Sequence, residues 1–72
     1  MHIKTLQNVV WQEDKYFVAQ CLDVDISSFG KTKEEALQNL QEAIDLYFED
    51  VDPDSISKIK DPQIIPLSLK YA

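Results

Sequence analysis

Thr32 and Glu35 stand three residues apart, directly ahead of a long apolar stripe, and that spacing fixes the start of a helix. The Thr32 hydroxyl and the Glu35 carboxylate form a capping box, in which each satisfies an amide that a helix start leaves without a partner. Behind the box, Ala36, Leu37, Leu40, Ala43, Ile44, Tyr47 and Phe48 recur at helical spacing. At about 100° per residue they cover an arc of roughly 140°, the width of a stripe pressed against a sheet. Leu40 and Ile44 lie mid-stripe and are expected at the centre of the core, whereas Leu46 falls on the flank beside Asn39. A helix with one apolar face must bury it against a second layer, which the rest of the chain has to supply as strands.

Strand formers dominate residues 3–11, where Ile3, Thr5, Val9, Val10 and Trp11 occur. Their alternation is imperfect: Leu6 and Val10 oppose Ile3, Val9 and Trp11 in parity, which implies burial on both faces or a bulge. A polar break at residues 12–15 precedes the strand-like residues 16–22, and the pair reads as an antiparallel hairpin. Asp23, Val24 and Asp25 make a bend, residues 26–29 form a third, weaker strand, and Gly30, the only glycine, ends it. Beyond the helix, residues 51–62 are polar, with Pro53 and Pro62 as breakers, and Asp52-Pro53 is suited to cap one short helical turn. Ile65, Leu67, Leu69 and Tyr71 then alternate with Pro66, Ser68 and Lys70, as in a fourth strand. Pro66 has no amide to donate, which implies that the strand lies at an edge or that Pro66 sits where the ladder needs no donor. The expectation is a single α+β domain over residues 1–72, in the order β-β-β-α-β. It has a small antiparallel-rich sheet with one long helix across one face.

A chain of 72 residues buries only about 60% of the surface its unfolded form exposes. A homodimer or higher oligomer is therefore expected. Seven Lys against 13 acids give a net charge of −6, and there is no Arg. Arginine is the preferred fork for phosphates and base edges, so direct DNA or RNA binding is not expected and a basic protein is the natural partner. One Cys and one His exclude an internal disulfide and a Cys/His metal cluster. No apolar run nears the roughly 18 residues of a membrane span, and the N-terminus lacks the form of a signal peptide, which points to the cytoplasm.

Few residues suggest chemistry. Asp23 and Asp25 could pair carboxylates, but no nucleophile or third ligand accompanies them, so a solvated turn is the reading. Asp50, Asp52, Asp54 and Asp61 space like a calcium loop, yet Ser55 occupies the position that needs glycine, and an acidic solvated loop is expected. Cys21 reads as a buried structural thiol, and His2 as incidental. No catalytic, cofactor-binding or metal-binding residue is assigned. The helix charge is more informative: Glu34, Glu35, Glu42, Asp45, Glu49 and Asp50 face a single cation, Lys33. From residue 23 to 54 ten acids and two Lys give a net of −8, while the rest of the chain carries +2. Glu34, Glu42, Asp45 and Glu49 are the candidate residues for binding a cationic partner.

Residues 11–49 resemble the HicB antitoxin family. The resemblance rests on Tyr16-Phe17-Val18-Ala19-Gln20-Cys21-Leu22-Asp23-Val24-Asp25-Ile26-Ser27, on Gly30-Lys31-Thr32, and on the run from Glu34 to Phe48 with its Glu-Glu-Ala-Leu-x-Asn-Leu-x-Glu-Ala-Ile pattern. Many members carry a Pro-Gly turn before the third strand, where this chain has Leu22 to Ile26. The resemblance implies a degenerate RNase H-like fold and a non-enzymatic role, that of neutralising a small, basic, HicA-like mRNA-cleaving toxin. The alternative is an orphan HicB-like binding or regulatory module without a cognate toxin. Full-length members usually append a helix-turn-helix or ribbon-helix-helix domain that binds operator DNA; with the chain ending at Ala72, no such domain is expected here. RNase H-type catalysis needs a carboxylate on the first strand to help hold two metals, and residues 3–11 contain none.

Overall fold

A computed structural model describes residues 3–71; His2 lies outside them. Strand β1 runs Asn8–Glu13, β2 Tyr16–Cys21 and β3 Ser27–Gly30, followed by helix α1, Lys33–Tyr47, and a 3-10 turn at Pro53–Ser55. The three strands form one antiparallel sheet in the order β1-β2-β3, so the coarse α+β expectation holds.

The hairpin is tighter than the sequence implies. Glu13 pairs with Tyr16, which leaves only Asp14 and Lys15 as the loop. Asp14 takes φ 51°, the left-handed conformation that two-residue hairpin turns require and that Asp tolerates. β1 also begins later than expected, at Asn8, because its last partner on β2 is Cys21 and the chain bends away beyond it. Pairing runs one to one without a bulge. The mixed parity of the segment therefore reflects two apolar faces: Leu6 and Val10 pack on the core, while Val9 and Trp11 point to the other side.

The core is small: Ala19 and Cys21 from β2, with Ala36, Leu40 and Ile44 from α1. Leu6, Val10, Phe17, Val24, Ile26 and Phe48 close around it. Cys21 is a free, buried thiol, as expected. Of the predicted stripe, Ala43 and Phe48 are half-buried, and Leu37 and Tyr47, at its margins, are exposed. Leu46 projects into solvent.

The capping box forms with a shift of one residue. Thr32 Oγ1 accepts from the Glu35 amide at 3.0 Å, and Glu35 Oε1 accepts from the Lys31 amide, one position ahead of the cap. Gly30 is buried where β3 meets this helix start. A Cβ there would lie 2.7 Å from the Ala36 nitrogen and 2.8 Å from the Glu35 side chain, so the close approach itself requires glycine. Asn39 Nδ2 donates to the Phe29 carbonyl at 2.9 Å and ties α1 to the outer edge of β3.

The expected fourth strand is not formed: among the described residues no strand follows α1. Residues 57–71 are exposed throughout. A lone strand has no ladder of its own, and Asp61, at φ 48° ahead of Pro62, turns the chain just before the segment begins. The Cα radius of gyration is 14.4 Å, against about 11 Å for a compact chain of this length.

Candidate functional site

Helix α1 presents two chemically distinct sides. Ala36, Leu40 and Ile44 are buried against the sheet, and at about 100° per residue Glu34, Glu42 and Asp45 fall on the opposite side. All three are exposed, as is Glu49 just past the helix end. The sequence-predicted partner-binding residues are thus brought together on one solvent-facing surface. Gln41 Nε2 donates to Asp45 Oδ1 at 2.9 Å and orients that carboxylate along the helix. The last turn carries no basic residue, so Glu49 and Asp50 add negative charge where the helix dipole is already negative.

The face of the sheet away from the helix carries a second feature that strand periodicity alone did not isolate. Trp11 pairs with Val18 and Val18 with Phe29, which sets three apolar side chains in a row across all three strands. Tyr16 packs edge-on to Phe29, with ring centroids 5.9 Å apart.

Glu13 corrects the expectation of a carboxylate-free first strand, because β1 extends past residue 11 to include it. Its carboxylate accepts from Trp11 Nε1 at 2.9 Å and from the Tyr16 hydroxyl at 3.0 Å. These bonds, Trp11 first, hold Glu13 below the ordinary carboxylate range, and the same carboxylate raises the Tyr16 phenol. Glu13 sits at the hairpin end of the sheet, while Asp23 follows the far end of β2. Five residue steps of strand, or roughly 17 Å, separate the two ends.

Asp23 and Asp25 do not act as a pair. Asp25 is exposed, whereas Asp23 is half-buried and accepts from the Gln7 amide through Oδ2 and from the Ile59 amide through Oδ1, both at 2.7 Å. One carboxylate therefore clasps the chain ahead of β1 to the segment that returns from the helix. The two amide bonds, Ile59's first, hold its carboxyl below the usual range. A lowered folded-state value stabilises the fold above the ordinary carboxylate range and loses that stabilisation as pH falls through it. Asp23→Asn should accordingly cost about 1 kcal/mol near neutral pH, allowing for solvent screening. The difference from wild type should begin to shrink near about pH 4, the ordinary carboxylate value, and vanish only as pH falls through the lower folded-state value. Urea unfolding across that range checks the expectation, and a pH-independent difference would contradict it.

Asp52 also has a structural role. It caps the 3-10 turn through Oδ1, which accepts from the Asp54 amide at 2.9 Å, as the Asp52-Pro53 pair implied. Asp50, Asp54 and Asp61 are exposed. Among the described residues no group of three or more His, Cys, Asp or Glu side chains is arranged to hold a metal ion. Nor is any helix among them long and apolar enough to cross a membrane.

Fold and surface together define a small two-layer α+β domain with an acidic helix face. The family model of DUF7387, a family of unknown function, matches residues 4–67, and the chain belongs to that family. No curated protein and no solved structure matches the chain.

Proposed function

We propose that this chain is a HicB-like, antitoxin-type protein-binding domain that neutralises a small, basic, HicA-like mRNA-cleaving toxin in the cytoplasm. The observation that carries the reading is the solvent-facing acidic side of α1, where Glu34, Glu42, Asp45 and Glu49 are exposed and Lys33 is the only cation of the helix. The β-β-β-α order supports it; residues 65–71, which form no strand in the single chain, would complete the β-β-β-α-β, RNase H-like layout on pairing with a neighbouring strand. The role is non-catalytic: Glu13 and Asp23 stand at opposite ends of the sheet, and each is already engaged by protein donors. A net charge of −6 without Arg disfavours direct DNA or RNA binding.

Such a surface acts mainly on association rate, through a field that salt screens over about 8 Å at physiological ionic strength. Replacing Glu42, Asp45 and Glu49 together by Lys leaves the apolar side of α1 untouched. Capture of the toxin should then slow by about tenfold or more at low salt, with a smaller difference at moderate salt. Stopped-flow association with the toxin encoded beside this chain's gene, after co-expression and co-purification, reads this directly. Equal rates with equal salt slopes would move recognition to the Trp11–Val18–Phe29 row or to the strand edges. Failure of any neighbouring gene product to co-purify would favour the orphan binding module.

A further inference from the structure

Helix α1 lies over β2 and β3 and barely reaches β1. Part of the sheet's inner face is therefore uncovered, and an open groove of about 990 Å³ lies beside it, between residues 3–8 at the start of β1 and the C-terminal half of α1. Leu6, Asn8, Ile44 and Phe48 line it, together with Pro53 and Lys58 from the segment that leads into the tail. β1 is also the freer edge of the sheet. At β3 the outward Phe29 carbonyl is taken by Asn39, and Gly30 abuts the helix start. Along β1, by contrast, alternate residues turn their amides and carbonyls away from β2.

The same chain carries a segment that matches this vacancy. Ile65, Leu67, Leu69 and Tyr71 share one parity and are 66–90% exposed. Pro66 belongs to the other parity. With that parity turned outward, the amides of Ile65, Leu67 and Leu69 are free to pair with a neighbouring strand. Burial of the four apolar side chains removes on the order of 500 Å² from water per tail. Two such tails, with the surfaces they cover, come to the roughly 1,200–2,000 Å² of a stable interface.

The hinge decides which sheet receives the tail. Asp61 at φ 48°, followed by Pro62, sends the tail off its own body, so that the chain with its tail spans 52 Å along its longest axis. A short, strained hinge beside an unfilled groove is the arrangement that favours exchange between copies. We propose that residues 64–71 add as a fourth strand beside β1 of a second copy. Ile65, Leu67 and Leu69 enter the groove between residues 3–8 and α1 of that copy, and the two copies exchange tails reciprocally. This exchange is independent of whether a toxin is the partner.

Light scattering of the full chain at tens of micromolar should give a dimer. The double variant Leu67→Asp/Leu69→Asp should be monomeric with an unchanged helical circular dichroism signal, since both side chains are solvent-exposed in the single chain. Chains carrying Asn8→Cys and chains carrying Leu69→Cys, refolded together and mildly oxidised, should form a covalent pair. A monomeric wild type overturns the proposal, as does a dimer that survives the double variant. A cross-link that forms only when both cysteines are on one chain also overturns it, and places the tail on its own sheet.

Discussion

Leu40→Ala should remove about 2–5 kcal/mol of stability, roughly half of what a chain this small possesses. A domain of 72 residues holds about 4–11 kcal/mol in total. Among the described residues its core consists of five buried side chains, of which Leu40, 2% exposed, is the largest that is fully enclosed. Leu40 packs among Ala19, Cys21 and Ala36, and small neighbours cannot swing in to fill the space it vacates. Ile44→Ala should cost less, toward the lower end of the same range, because Ile44 borders the open groove and its site can rehydrate or collapse. Urea unfolding of both variants at one protein concentration, which holds any self-association constant, gives the ordering. A loss under about 1 kcal/mol for Leu40→Ala would mean that α1 is not seated on β2 as described.

That core was readable from the chain because it depends on periodicity. The capping residues and the stripe located α1, and a polar break between two runs of strand formers located the hairpin. What escaped depends on contacts between segments far apart in sequence. Asp23 looked like half of a solvent-facing pair, yet its two partners, Gln7 and Ile59, lie 16 and 36 residues away, and no local spacing announces them. Asn39 was visible only as part of a family-like pattern. Its bond to the Phe29 carbonyl supplies the physical reason for an amide at that position. Glu13 was assigned to the break because polar residues mark turns on average, whereas cross-strand pairing with Tyr16 draws it into β1. The terminal segment is the reverse case. Ile65, Leu67 and Leu69 have strand periodicity without a strand partner in the chain, because a strand is a property of a pair and periodicity reports only one member.

Gly30→Ala should destabilise the fold by about 1–3 kcal/mol, although exchange of glycine for alanine in a strand ordinarily helps. Elsewhere the substitution reduces the entropy of the unfolded chain and gains about 0.4–1 kcal/mol where the backbone is compatible. The backbone at Gly30 is no obstacle, since the left-handed φ values fall at Asp14 and Asp61 instead. The obstacle is the neighbour: a new Cβ would meet the Ala36 nitrogen at 2.7 Å and the Glu35 Cβ and Cγ at 2.8 Å. Neither is free to yield, because Ala36 N donates to Thr32 O in the first turn of α1 and the Glu35 side chain is held by its bond from the Lys31 amide. Relief therefore requires β3 to part from the helix start, which also stretches the Asn39 bond to Phe29 a few residues on. A second substitution separates the two contacts. If Gly30→Ala/Glu35→Ala regained all of the lost stability beyond the cost of Glu35→Ala alone, the clash would lie with the side chain. Partial or no recovery in urea unfolding is expected, because the Ala36 backbone stands closest and no side-chain change moves it.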